Sequence, residues 1–230
     1  MAICVIPARG GSKRIPRKNI RDFAGRPMIA WPIAAAIASQ LFDRVIVSTD
    51  DEEIANVARG SGAEVPFLRS AATADDHTGL IDVLGEVQDR LTEMGFDPEL
   101  ICCLLATAAL TTPERLSEGR DLIEAGDWDS VFPVVAYGAP IQRALARATD
   151  GATAMVDPAA YTVRSQDLEA RYHDAGQFYW LRRDTIRRRL PILASRGASL
   201  VLDATEVQDI DTEDDWRLAE MKFALRRGSA

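Results

Sequence analysis

The run Pro7-Ala-Arg-Gly-Gly-Ser-Lys-Arg-Ile-Pro-Arg-Lys-Asn19 concentrates residues able to do chemistry more than any other stretch of this 230-residue chain. Adjacent glycines let the backbone N–H groups of Gly10, Gly11 and Ser12 approach a bound group closely, while Arg9, Lys13 and Lys18 supply cationic donors. That combination suits a polyphosphate. It is no Walker A loop, because no GK[ST] opens a helix at the required spacing, and it is not GxGxxG, which argues against kinase and dehydrogenase chemistry. A charged loop is most often a solvated turn. Here it directly follows an apolar strand, and that position favours a site.

A second candidate lies near the C-terminal end, where Asp209 and Asp211 stand two residues apart. They reach one metal if the segment is twisted or if one of them acts through water, and magnesium with few carboxylates and several phosphate or water oxygens is the usual arrangement around a nucleoside triphosphate. The following Thr212-Glu-Asp-Asp215 reads as a capping box with acids in the first helical turn, which explains Glu213 and Asp215 without catalysis. His77 and His173 are the only histidines, and neither builds a triad. In Tyr172–Trp180, Phe178 and Trp180 alternate with Gln177 and Tyr179; the first pair suits a core, and the second could line a pocket.

These residues need a scaffold. Ala2-Ile3-Cys4-Val5-Ile6 is short and continuously apolar, as in a strand of a parallel sheet covered on both faces. A buried helix is predicted over 27–41 with Pro32 in its first turn or at a kink, a strand over 44–49 and a short helix over 50–60. Leu80, Val83, Leu84, Val87, Leu91 and Met94 form the stripe of an amphipathic helix over 79–94. A strand follows over 99–105, then a helix capped by Thr112 with Pro113 at its first position and running toward Gly126, then a strand over 130–136. Further strands are expected over 176–181 and 199–202, and a last helix puts Trp216, Ala219 and Phe223 on one side. The order implies an α/β fold with a doubly wound, mostly parallel sheet and ligands beyond the carboxyl ends of its strands. Residues 138–175 break the pattern, so the expectation is one domain over 1–230 with an insertion there.

Composition narrows the function. With 27 Lys+Arg against 35 Asp+Glu the net charge is −8, so there is no global positive field for nucleic acid or an anionic membrane. No apolar run reaches the length of a membrane span, and no secretory leader opens the chain, so a cytoplasmic protein is expected. Cys4, Cys102 and Cys103 sit in apolar runs and read as small core residues.

Arg9-Gly-Gly-Ser-Lys followed by Ile15-Pro-Arg-Lys-Asn19 closely resembles the signature of the CMP-sialic acid synthetases, cytidylyltransferases with a nucleotidyltransferase fold of Rossmann-like, glycosyltransferase-A-like type. Ser48-Thr-Asp-Asp-Glu-Glu-Ile-Ala55, Asp75-Asp-His-Thr78 and Asp209-Ile-Asp211 extend the likeness over nearly the whole chain. Where the neuraminic acid enzymes carry Leu-Gln-Pro-Thr-Ser-Pro-Leu-Arg, this chain has Leu104-Leu-Ala-Thr-Ala-Ala-Leu-Thr111. Leu105 thus replaces a glutamine and Thr111 an arginine. Those departures, with Tyr172–Trp180 and Asp75–Gly79, look like the pseudaminic acid branch. The resemblance implies transfer of CMP from CTP to a nine-carbon keto sugar acid with Mg2+. It places Ala8, Arg9, Gly10, Gly11, Ser12, Lys13, Lys18, Asn19, Arg69 and Asp76 at the nucleotide and Asp209 and Asp211 on the metal, with Arg9, Lys13 and Asp211 as the catalytic set. Leu105, Gln177 and Tyr179 would meet the sugar. The insertion resembles an arm through which family members form homodimers, so Arg164 or Arg171 would reach a sugar carboxylate. A synthetase for neuraminic acid or an eight-carbon acid is the nearest alternative, and a non-catalytic nucleotide-binding module the distant one.

Overall fold

A computed structural model describes residues 1–73, 78–193 and 195–228. Asp75, Asp76 and His77 lie outside the described residues. The chain runs β1 (Ala2–Pro7), β2 (Asp22–Phe23), β3 (Arg26–Pro27), α1 (Ala30–Ser39), β4 (Arg44–Ser48), α2 (Glu52–Gly60), α3 (Leu80–Glu93), β5 (Leu100–Leu104), α4 (Pro113–Ala125) and β6 (Ser130–Ala136). It continues through β7 (Leu145–Arg147), β8 (Thr153–Met155), β9 (Tyr172–Asp174), β10 (Phe178–Arg182), α5 (Arg183–Arg187), β11 (Gly197–Val201) and α6 (Glu213–Gly228), with short 3₁₀ turns between.

Seven of these strands form the central sheet, ordered β11-β6-β10-β5-β1-β4, with β9 also paired to β6. Strands β4, β1 and β5 pair in parallel, as do β6 and β11. Strand β10 lies antiparallel between β5 and β6. The sheet is therefore mostly parallel, as the alternation of strands and helices implies, and the chain enters antiparallel only on its return from the insertion. Cys4 aligns with Val45 on one side and Cys102 on the other. All three cysteines are free and buried.

Both faces of the sheet are covered. Ile33 and Ala36 of α1, Ile54 and Ala58 of α2 and Leu116 and Ile123 of α4 pack on Cys4, Ile6, Phe178 and Trp180. On the other face Leu84, Val87 and Leu91 of α3 and Ile186 of α5 meet Ile3, Val5, Cys103 and Tyr179. Central strands sandwiched in this way read as unbroken apolar runs, which is why they are plain in the sequence.

Helix α1 starts three residues later than the apolar pattern suggests, because Arg26–Pro27 pairs with Asp22–Phe23 around Ala24 and Gly25. Both turn residues have positive φ, 52° and 82°, the geometry a two-residue hairpin requires. Pro32 then falls in the first turn of α1, where its missing N–H costs nothing. The hairpin packs under a third cluster in which Ile15, Phe23, Met28, Ala109, Ile210 and Trp216 are buried. Ile15 belongs to the basic loop and Ile210 to the Asp209–Asp211 segment, so this cluster ties the two candidate site segments together. Among the described residues no helix is long and apolar enough to cross a membrane.

Candidate active site

The basic loop leaves β1 at its carboxyl end and is held in shape from several sides. The Ala8 N–H donates to the Ser48 carbonyl at 2.9 Å, and Ala8 itself is buried beneath the loop. The Gly10 N–H donates to Asp50 Oδ1 at 2.9 Å, and Asn19 Nδ2 donates to the Arg9 carbonyl at 3.0 Å. Arg17, at φ 55°, turns its guanidinium onto Asp51 and Glu53 at the start of α2. Asp51 is also the N-cap of α2, accepting from the N–H groups of Glu53 and Ile54. The Ser48–Glu53 run thus serves the loop through backbone and salt-bridge contacts.

The loop walls a cavity of about 420 Å³. Arg9, Ser12, Lys13, Lys18, Asn19, Leu105 and Asp209 all line it, so residues far apart in the chain meet there. Arg14, Ala106 and Thr107 line it as well, and sequence reasoning had passed over them. Arg14 was visible as a further loop cation. Thr107 was visible only as a polar residue just past a strand end. Lys18 donates to the Ile210 carbonyl and stands 3.7 Å from Asp211 Oδ1. Burial lowers its ammonium pKa, opposed by the fields of Asp211 and Asp209.

Asp209 and Asp211 flank buried Ile210 and both line a second cavity, of about 380 Å³, with His173, Asp174, Asp215 and Lys222. Residues i and i+2 of an extended segment share a face, so no unusual twist is needed to bring the carboxylates together. Asp209 keeps some surface at the cavity mouth, yet crowding by protein raises its pKa and the charge of Asp211 raises it further. Helix capping falls to Asp215, whose carboxylate accepts from the Thr212 N–H at 2.8 Å while its own N–H donates to Thr212 Oγ1 at 3.2 Å. Glu213 pairs with Arg21. The Asp211 N–H also donates to Asp215 Oδ2 at 3.1 Å, and the Asp211 carboxylate stays outside the cap.

Several expected residues fall elsewhere. The Gly10 N–H is already used by Asp50, and its glycine is needed because a Cβ there would stand 2.8 Å from Asp51 Oδ2; Gly11 faces open space. Arg69 is buried against Ser48, its Nε and an NH2 group donating to that residue's hydroxyl and carbonyl. Gln177 and Tyr179 do not line either cavity. Gln177 is buried and donates to the Glu206 carbonyl at 2.7 Å, and buried Tyr179 donates to Asp174 Oδ2 at 2.6 Å. Tyr179 packs under α3 and α5, while Gln177 is held by the Glu206 carbonyl on the segment before the last helix. Tyr179 touches the site only through Asp174, with burial and the Asp174 contact pushing its phenol pKa up. Thr111 is buried too. Arg164 and Arg171 are exposed on the insertion, paired with Asp167 and Glu169.

A cation-walled cavity at strand ends, with Asp209 in its wall and Asp211 in the cavity next to it, suits a nucleoside triphosphate. The sequence model of the cytidylyltransferases matches residues 3–228. The chain belongs to the cytidylyltransferase family. This cytidylyltransferase, a nucleotidyltransferase enzyme, is 38% identical to a pseudaminic acid cytidylyltransferase of Campylobacter jejuni over 99% of its own length and 98% of that protein's. It is 35% identical to N-acylneuraminate cytidylyltransferase A of Danio rerio, covering 97% of this chain and 51% of that one. Among solved structures, a CMP:2-keto-3-deoxy-manno-octonic acid synthetase complexed with CTP superposes with a TM-score of 0.74 at 19% identity, covering 98% of this chain and 99% of that one. That likeness establishes a shared fold.

Proposed function

We propose that the enzyme transfers CMP from CTP to the anomeric C2 hydroxyl of pseudaminic acid and releases pyrophosphate. The observation that carries this reading is the full-length likeness to pseudaminic acid cytidylyltransferases, 38% and 37% identical in two Campylobacter jejuni strains. The sugar oxygen attacks the α-phosphorus, the bond from that phosphorus to the α,β-bridging oxygen breaks so that pyrophosphate leaves with its electron pair, and the hydroxyl proton is released to water. Such a transfer needs in-line positioning and charge neutralisation rather than a covalent enzyme intermediate. Arg9, Lys13 and Lys18 supply cations to the phosphates, with the Ser12 segment beside them, and Asn19 holds the Arg9 carbonyl so that the loop keeps its shape. Leu105 forms an apolar part of the same wall. Gly11 and Asp76 complete the nucleotide side in this reading, and Arg69 supports it from behind through Ser48, whose carbonyl also accepts from the Ala8 N–H.

The donor set fits a divalent cation. Asp209 is a crowded carboxylate with a raised pKa, beside a second carboxylate and at the edge of the phosphate cavity, which is an environment that a cation relieves. Asp209 and Asp211 would hold Mg2+, which supplies charge neutralisation at the phosphates. The acceptor fits the second cavity, which shares Asp209 with the first and offers Asp174 as an acceptor for sugar hydroxyl or amide protons. Its acidic wall does not welcome a sugar carboxylate. In a homodimer Arg164 or Arg171 of the arm would supply that cation to the neighbouring site. Leu145, Val156 and Tyr161 expose apolar surface on this arm and support such pairing. The cytoplasm is the compartment where CTP would be met.

The test is pyrophosphate release from each of four nucleoside triphosphates with a panel of keto sugar acids, with and without chelator. Turnover confined to CTP, pseudaminic acid and added Mg2+ is expected. Turnover with another nucleotide, or full activity in chelator, overturns the corresponding part.

A further inference from the structure

Asp211 already has a counter-ion. Its Oδ1 forms an ion pair with the Arg14 guanidinium at 2.8 Å, with Lys18 Nζ 3.7 Å away. The two cations are held differently. Lys18 keeps only 20% of its side chain exposed and is anchored on the Ile210 carbonyl, so it is part of the wall. Arg14 is 68% exposed and stands on the loop that lines the phosphate cavity. An ion pair so open to water is weakly held, and either partner exchanges readily for a better one. A divalent cation is a better partner for a carboxylate, and phosphate oxygens are a better partner for a guanidinium.

We propose that Arg14 is a placeholder for the divalent cation, neutralising Asp211 in the empty enzyme and moving onto the triphosphate when nucleotide enters, which releases Asp211 to the metal. The proposal rests on the reading that Asp209 and Asp211 hold that metal. Its consequence is coupling: metal binds weakly until the nucleotide takes Arg14 away, and by linkage nucleotide binds better once metal has displaced Arg14. Arg14 is then a positioning residue, acting on Asp211.

The test uses Mn2+ alone as probe, with the free ion followed by electron paramagnetic resonance in wild type, Arg14→Gln and Asp211→Asn. Arg14→Gln should bind Mn2+ roughly two- to fivefold tighter than wild type without nucleotide, the range an exposed ion pair commands. Adding CTP should then enhance its Mn2+ affinity less than it does in wild type. Asp211→Asn should bind Mn2+ much more weakly than wild type. Unchanged or weaker Mn2+ binding by Arg14→Gln, with Asp211→Asn impaired, overturns the placeholder and leaves the metal site standing. Unchanged binding by Asp211→Asn removes the metal site and the placeholder with it.

Discussion

Arg17 reaches Asp51 at 2.5 Å, joining the basic loop to the N-cap of the helix that follows the neighbouring strand. The contact spans 34 residues of sequence and makes one carboxylate serve both a helix end and the phosphate loop. The Arg17 hydrogen bond holds the Asp51 carboxyl below its ordinary pKa, helped by the backbone N–H of Ile54. A carboxyl depressed in the folded state stabilises the fold above its unfolded pKa, and that contribution is lost as pH falls through the folded value. Arg17→Ala should therefore cost about 0.5–1 kcal/mol at neutral pH, the scale of a surface pair, and raise KM for CTP as the loop loosens. The stability difference should shrink as pH falls below about 4, where the carboxyl protonates. Chemical denaturation of both proteins from pH 7 to pH 3 measures it.

The two adjacent glycines should respond differently. A Cβ on Gly10 would stand 2.8 Å from Asp51 Oδ2 and 3.0 Å from Asp51 Cβ, while one on Gly11 meets nothing within 4 Å. Asp51 is fixed by its cap and by Arg17, so it has little room to retreat. Gly10→Ala should lose roughly 1–3 kcal/mol, as over-packing does, and Gly11→Ala should melt within about 0.5 kcal/mol of wild type. Thermal melts of the pair decide it.

Arg9→Ala should fold normally and lose about 2–4 kcal/mol in kcat/KM, the scale of a charge-assisted contact that tightens in the transition state. Lys13→Ala should follow the same pattern. Near-normal kcat/KM in folded Arg9→Ala protein would take the loop out of the mechanism.

Because Asp215 and Thr212 already cap the last helix, Asp211→Asn should leave that helix intact and be almost inactive at ordinary Mg2+ concentration. Thr212→Ala should show the opposite signature, with stability reduced by about 0.5–2 kcal/mol and turnover kept in the folded fraction. Melts and kinetics on the same preparations separate the roles.

Leu105 lines the phosphate cavity, which meets the acceptor cavity at Asp209, and stands where the neuraminic acid enzymes' pattern has a glutamine, so the wall beside the junction is less polar. A site without that donor does not favour an acceptor that needs it. Pseudaminic acid should exceed neuraminic acid at least about tenfold in kcat/KM, or roughly 1.4 kcal/mol. Side-by-side assays with CTP and Mg2+ check it, and equal use of the two acids would defeat the acceptor assignment.

The apolar strands β1, β4, β5 and β6, the α3 stripe and the Thr112-Pro113 helix start were legible in the sequence because each is a local pattern, an apolar run, a helical period or a cap, whereas β9 lies in the stretch over 138–175 that shows no such pattern. The basic loop was legible for the same reason, since glycines and cations crowd one short segment and sit at a strand end by the order of elements alone. What tertiary structure decided were pairings that carry no local signal. That Asp51 serves Arg17 and that Arg14 meets Asp211 depend on segments from 34 to nearly two hundred residues apart, and that Asn19 holds the Arg9 carbonyl depends on how the loop between them folds. The same holds for Gln177 and Tyr179. Alternation along a strand says that they face away from Phe178 and Trp180, and only the packing of α3 and α5 over Tyr179 and the Glu206 carbonyl on Gln177 decide that they are core rather than pocket. Periodicity reports which side of its own element a residue takes; what covers that side is settled by the long-range packing of the whole chain.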